Sequence, residues 1–274
     1  MNIKFENNKI YIKNPKNFDL AETLDCGQCF RWSKDQNGVW SGIAFDKYIE
    51  LYEKDGDIII KGSNQTDFEN IWFDYFDLRR DYGQIIKEVS VHPTVAKAAA
   101  FCGGIRLLNQ EPWEALCSFI ISQNNNIPRI KGIIDRLCAT LGEPIDGAEF
   151  SFPDAEKIAS AGIEALAPLR AGFRAKYIID AAEKVASGEV DLQKIAVSPL
   201  DEGRDELIKI KGVGEKVAQC ALLYGFGKID AFPVDVWVKR IMAELYPDGL
   251  PECTNGVRGI AQQYLFHWYR INSK

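Results

Sequence analysis

The sequence has no run of eighteen apolar residues, so no bilayer-spanning helix is expected. Its opening, MNIKFENNKIYIKNP, lacks the apolar stretch of a secretory signal. The expected location is therefore the cytoplasm, at the nucleoid if the source is bacterial or archaeal. Positive charge is not in excess: 33 Lys and Arg stand against 39 Asp and Glu, a net charge of −6. Taken alone, that average argues against a nucleic-acid partner, but binding depends on the local field. The charge is uneven, since PLRAGFRAK (168–176) and NNNIPRIK (124–131) carry cations and no anion. Cys26 and Cys29 form a C-x-x-C, but no second pair completes a zinc or iron–sulfur set among the seven cysteines. Reduced thiols in a cytosolic protein are the reading. The pair runs into FRW, a strand-like sequence, whereas a thioredoxin-type site needs its thiolate at a helix start. Internal repeats and low-complexity linkers are also missing. What is there is 274 residues, 46% hydrophobic and 26% charged, enough for one large or two to three small packed units.

The first sixty residues read as strands. KIYIK and VWSGIAF are β-rich, and KYIELYEKDGDIIIKG reads as a hairpin about Asp55-Gly56-Asp57. From about residue 66 the apolar spacing becomes three and four, so DFENIWFDYFDLRRDYGQIIKEVS reads as helical. Further helices are expected at 112–122, 127–141, 154–160, 174–186, 202–209, 214–224, 235–245 and 255–271, punctuated by Pro112, Gly142, Pro153-Asp154 and Gly225. Strands first and helices later indicate an α+β fold: an N-terminal twisted antiparallel β domain over 1–88, then a mostly α-helical body over 89–274.

The stretch DELIKIKGVGEKVAQCALLY places two helices around a tight Gly-Val-Gly turn, a helix-hairpin-helix at about 202–224. Gly212 and Gly214 let a phosphate approach the second helix's unpaired amides, where the helix dipole favours negative charge. Such a hairpin holds a nucleic-acid backbone without reading sequence. An αα-hairpin whose glycines only permit close packing is the alternative. Lys216 lies in the first turn of the second helix, where the dipole disfavours a cation. It is either a solvated surface charge or a reactive amine. Asp235, after Pro233 and before VWVKRIMAELY, is an N-cap candidate whose carboxylate would be fixed in space. An amine nucleophile beside a fixed carboxylate is what displacement at a sugar C1′ requires.

With these residues in view, LIKIKGVGEKVAQC…AFPVDVW resembles the helix-hairpin-helix, Gly/Pro-rich loop and Asp motif of a base-excision DNA glycosylase superfamily, and within it the 8-oxoguanine DNA glycosylases. CGQCFRW (26–32), FIISQNNNIPRIKGIIDRLC (119–138), LRAGFRAKYI (169–178) and GIAQQYLF (259–266) match further blocks of that family in the same order. The resemblance implies that Lys216 forms a Schiff base with deoxyribose and that Asp235 is the catalytic carboxylate. It also implies that Cys220 and Phe266 sandwich an extruded base, that Gln262 bonds its Watson–Crick edge, and that the Gly27 carbonyl faces N7. Oxidised guanine carries a hydrogen on N7 where guanine has a lone pair, so that carbonyl attracts the lesion and repels the normal base.

By the same resemblance, Asn124, Arg129 and Arg174 fill the gap left by the flipped nucleotide and contact the opposite cytosine, and Phe173 wedges into the stack. Without it, Asn124-Asn125-Asn126 reads as a polar kink or cap, Arg129 and Arg174 as surface charges, and Cys220 and Phe266 as core. Three positions depart from the family pattern: Phe173 for a tyrosine, Gln219 for an acidic residue, and Trp237 for a histidine. The implied activity is a bifunctional glycosylase and β-lyase on duplex DNA carrying 8-oxoguanine opposite cytosine. No cofactor is expected, and no metal is required, although a structural cation at the Ile208, Ile210 and Val213 carbonyls is a family feature. The chain is expected to act as a monomer away from membranes. A glycosylase for another lesion, or a non-catalytic DNA-binding module, are the alternatives.

Overall fold

A computed structural model of the chain describes residues 2–145 and 149–272. Six antiparallel strands form the N-terminal sheet: β1 (Asn2–Glu6), β2 (Lys9–Lys13), β3 (Trp32–Lys34), β4 (Trp40–Ala44), β5 (Lys47–Lys54) and β6 (Asp57–Lys61). Their order is β1-β2-β6-β5-β4-β3. Three of the connections are two-residue turns with both residues at positive φ: Asn7-Asn8, Phe45-Asp46 and Asp55-Gly56. Such turns match the right-handed strand twist, which is why Asn, Asp and Gly favour them. Trp32 pairs with Gly42, where a Cβ would fall 2.3 Å from the indole. The missing side chain lets Trp32 lie flat on the sheet and donate to Tyr75 Oη at 2.7 Å.

The expected helix beyond residue 66 is interrupted. Gln65–Asp67, Phe68–Trp72 and Phe73–Tyr75 run on through a π-helical turn, and a new helix, Tyr82–Val89, starts at an Asp81 cap. Between them Asp77, at φ 48°, turns the chain and is buried on Arg80 Nε (2.6 Å) and Tyr82 Oη (2.9 Å). Apolar spacing alone does not register such a buried polar corner. The helices Leu20–Leu24, Pro93–Cys102 and Leu192–Val197 were also not expected.

The helical body is built around Pro112–Ser122, which buries eight of its eleven residues and packs on Glu215–Tyr224, itself eight-tenths buried. Ile127–Leu141, Ala155–Ala165, Arg174–Ala186, Leu200–Ile208, Val236–Leu245 and Arg258–Asn272 complete it. Two apolar cores result. One lies beneath the sheet, around Trp32, Trp72 and Phe76, and the other lies among the helices. Cys26 and Phe30 belong to the helical core although they precede β3, and Leu108 belongs to the sheet core. The loop carrying Gly27 is thus packed on the helical body. Among the described residues no helix is long and apolar enough to cross a membrane.

Candidate active site

The hairpin joins Leu200–Ile208 to Glu215–Tyr224 through a turn closed by Ile210 N–H to Leu207 O (3.1 Å) and Val213 N–H to Ile210 O (3.0 Å). The Arg174–Ala186 helix braces it. Asp180 Oδ2 accepts from Lys211 N at 2.7 Å and Lys184 Nζ donates to Lys209 O at 2.6 Å. Tyr177 lies flat against Gly212, whose φ of +81° and whose 2.3 Å virtual Cβ contact with the ring exclude any side chain. Gly214 caps the second helix without a side-chain bond, and nothing stands within 4 Å of where its Cβ would be. The first-turn amides of Glu215 and Lys216 have no acceptor among the described residues. Gly214 and Glu215 are exposed, and unpaired first-turn amides are what an anion seat requires. Ile208 and Val213 carbonyls accept no hydrogen bond among the described residues, and Ile210 O accepts only from Val213 N, so all three retain free lone pairs.

Lys216 is half-buried and turned inward. Its Nζ is 3.4 Å from Ser122 Oγ and 5.4 Å from the centre of the Phe119 ring. One turn on, Cys220 is buried; burial pushes its thiol up, Lys216 beside it opposes that, and Asp235 reinforces it. Lys216, Cys220 and Asp235 therefore share one locality. Asp235 is the N-cap of Val236–Leu245, its Oδ1 accepting from Val238 N at 2.8 Å. Among the described residues no ion pair within 4.0 Å joins Lys216 to Asp235. Gln219 links their elements: its Nε2 donates to Glu215 Oε1 at 2.9 Å and its Oε1 accepts from Phe232 N at 3.0 Å. An acidic side chain there could accept from Phe232 but would repel Glu215. Trp237 packs edge-on against Tyr269, with ring centres 6.4 Å apart, and beneath the Arg240 guanidinium.

On Arg258–Asn272, Gln262 is 5% exposed and its buried Oε1 has no hydrogen-bond partner among the described residues. A buried unpaired amide oxygen is costly, and it is the acceptor a base edge would satisfy. Phe266, one turn further, is half-buried beneath the Arg270 guanidinium at 5.4 Å. Gly27 has φ +89°, and the nearest atom to its virtual Cβ is Ile127 Cδ1 at 3.8 Å, so the requirement for glycine there is conformational. Its loop is fixed by Gln28, which sequence reasoning missed. Gln28 Nε2 donates to Thr23 O and Arg106 O, both at 2.8 Å, and its Oε1 accepts from Leu108 N at 2.9 Å. The side-chain amide thereby pairs with the 106–108 backbone as a strand would. A glutamine inside CGQC was the only sequence signal for this.

Phe173 is 46% exposed, with its ring edge-on to Tyr177 at 5.6 Å. Asn124 is exposed in the left-handed region at φ 46°, and Asn126 caps the next helix through Arg129 N at 3.0 Å. Arg129 projects into solvent. Arg174 does not: it is 3% exposed, and its guanidinium donates to Gln123 O at 2.8 Å, Asn124 O at 2.8 Å and Ala171 O at 3.2 Å. Burial, and secondarily Arg129, lowers the Arg174 guanidinium from its ordinary value. Arg129 and Arg174 are thus neighbours, one free and one engaged with the Asn124 turn. Among the described residues no group of three or more His, Cys, Asp and Glu forms a metal cluster.

Residues 10–116 match the family model of the 8-oxoguanine DNA glycosylase N-terminal domain, and residues 117–249 match that of the HhH-GPD superfamily of base-excision DNA repair proteins. An N-glycosylase/DNA lyase of Saccharomyces cerevisiae is 34% identical over 85% of this chain and 69% of that protein. The N-glycosylase/DNA lyase OGG1 of Arabidopsis thaliana is 30% identical over 84% of this chain and 67% of that protein. The Clostridium acetobutylicum 8-oxoguanine glycosylase/lyase, solved with duplex DNA carrying cytosine opposite 8-oxoG, superposes with TM-score 0.94 at 40% identity, covering 100% of this chain and 99% of the other. The chain belongs to the 8-oxoguanine DNA glycosylase family within the HhH-GPD superfamily of base-excision DNA repair proteins.

Proposed function

We propose that this chain excises 8-oxoguanine from duplex DNA, opposite cytosine, and then nicks the strand at the resulting sugar. The observation that carries the reading is Lys216, an amine held half-buried at the start of the hairpin's second helix, beside Cys220 and Asp235. The hairpin amides at Gly212 and Gly214 hold a phosphate of the damaged strand. Phe173 enters the stack, Asn124 and Arg129 take the place of the flipped nucleotide, and Arg174 holds the Asn124 turn against the opposite cytosine. Cys220 and Phe266 flank the extruded base, Gln262 Oε1 accepts from its Watson–Crick edge, and the Gly27 carbonyl accepts from N7–H.

Lys216, having lost its proton, attacks C1′ as the glycosidic bond breaks, and the base leaves with the bonding pair. Asp235 stabilises the positive charge that develops on the sugar ring. Opening of the ring gives a protonated imine. That imine acidifies the C2′ hydrogen, its loss expels the 3′ phosphate, and water then releases Lys216. The chemistry needs no cofactor. The carbonyls of Ile208, Ile210 and Val213 suit a structural cation that would stiffen the turn. The enzyme acts as a monomer, with the chromosome inside the cell.

The test uses duplexes with 8-oxoguanine opposite each of the four bases, and an undamaged guanine control. Release of free 8-oxoguanine followed by β-elimination, fastest opposite cytosine, is the expected result. Tight binding with no base released would overturn the reading.

A further inference from the structure

Two glutamines adjoin the proposed base site, and the second has no assigned task. Gln263 is 2% exposed and follows Gln262, about 100° further round the same helix. Its Nε2 donates to Cys26 Sγ at 3.4 Å, across 237 residues of sequence. Cys26 is buried, its Sγ in turn donates to Thr23 O at 3.3 Å, and it directly precedes Gly27. On the far side of Gly27, Gln28 is fully buried and bound to three backbone groups, while its own carbonyl accepts from Gln110 Nε2 at 2.6 Å. Gly27 itself has no side chain and a positive φ, so nothing of its own fixes its peptide.

We infer that Gln263 is a positioning residue for lesion recognition: its contact with Cys26 sets the Gly27 carbonyl at a fixed distance from the Gln262 amide, with Gln28 as the opposite anchor. This rests on the function proposed above. Two groups must meet one purine at once, Gly27 O at N7–H and Gln262 at the Watson–Crick edge. They come from elements at opposite ends of the chain, and Gln263–Cys26 is a hydrogen bond that joins those elements next to both groups. A base fits both only if that spacing is kept, because a hydrogen bond weakens steeply as its geometry departs from ideal. Catalysis at a sugar that has already lost its base does not use either group. Gln263 is therefore tied to base excision and not to strand cleavage.

The experiment compares single-turnover excision from an 8-oxoguanine:cytosine duplex with strand cleavage of a preformed abasic duplex, in wild type, Gln263→Met and Cys26→Ala. Methionine keeps the length and removes the donor, while alanine removes the acceptor. The expected result is an excision rate reduced about tenfold in each variant, the size of one lost hydrogen bond, with abasic cleavage within about twofold of wild type. The double variant should be no worse than either single one, because both remove the same contact. Cys26→Ser, which restores an acceptor, should return most of the excision rate. Abasic cleavage also reports folding, so equal loss in both assays would assign Gln263 to plain core packing and overturn the inference. Unchanged excision would overturn it too. A wild-type enzyme that leaves 8-oxoguanine in place would instead remove the functional reading beneath it.

Discussion

The two hairpin glycines make a paired test of the anion seat, since the structure gives them opposite tasks. Gly212 sits at φ +81° with the Tyr177 ring 2.3 Å from its virtual Cβ. Alanine there incurs the left-handed backbone cost, about 1–2 kcal/mol, and overpacks Tyr177, about 1–3 kcal/mol more. Loss of roughly 2–4 kcal/mol is expected, allowing for partial relaxation of the half-buried ring. Gly214 has an ordinary φ of −100° and open space around its Cβ position. Alanine there is a poorer N-cap than glycine, but it also restricts the unfolded chain. The two effects are each below about 1 kcal/mol and opposed, so stability should hold within about 0.5 kcal/mol. DNA responds differently. A methyl group at Gly214 stands where the phosphate approaches, and losing a charge-assisted bond of about 1.5–3 kcal/mol weakens binding roughly ten- to a hundredfold. Urea denaturation and fluorescence anisotropy with a lesion duplex at fixed salt read both quantities. A Gly214→Ala protein that binds like wild type, or two variants with equal stability loss, would refute the assignment of the seat.

Asp235→Asn keeps a good N-cap for Val238 N, so urea stability should change by less than about 0.5 kcal/mol while single-turnover excision falls at least about a hundredfold. Arg129→Ala should leave stability unchanged and flatten the preference for cytosine, whereas Arg174→Ala strips the donors from Gln123, Asn124 and Ala171 carbonyls and should lower stability by about 2–3 kcal/mol. Glu114, buried against Arg31 at 3.3 Å, is pushed up from 4.5 to about 7, burial being the largest cause and Arg31 opposing it. The folded state then holds a proton that the unfolded state releases near 4.5, so stability is greatest below that pH and falls by about 3 kcal/mol as pH rises to about 7. Glu114→Gln should flatten that part of the urea-stability profile; a profile identical to wild type would contradict the assigned burial cost.

Where the chain carries strong punctuation, the sequence sufficed. The helices 112–122 and 127–141 fall where Pro112 and Gly142 imply, and the Asp55-Gly56 hairpin forms as its turn chemistry requires. Weak punctuation hid other elements. Pro93–Cys102 is an alanine-rich helix, four of its ten residues buried, with little contrast between its faces, and the turn at Asn7-Asn8 uses a pair less emphatic than Asn-Gly. At the site, the Asp235 cap was legible because it depends on a local helix start, whereas the helix start alone left Lys216 open between a surface charge and the inward amine that it is. The engagement of Arg174 was not legible, since two of its three acceptors, Asn124 O and Gln123 O, lie 50 and 51 residues away. Nor was the contact between Gln263 and Cys26, which spans almost the whole chain.

Borohydride trapping tests the central claim, that the Lys216 amine attacks the sugar. Wild-type protein incubated with an 8-oxoguanine:cytosine duplex and sodium borohydride should become covalently linked to DNA, with the adduct mass on the peptide that contains residue 216. Lys216→Gln should bind the same duplex and give no adduct. Full adduct yield from Lys216→Gln, or an adduct mapped to another lysine, would contradict the account.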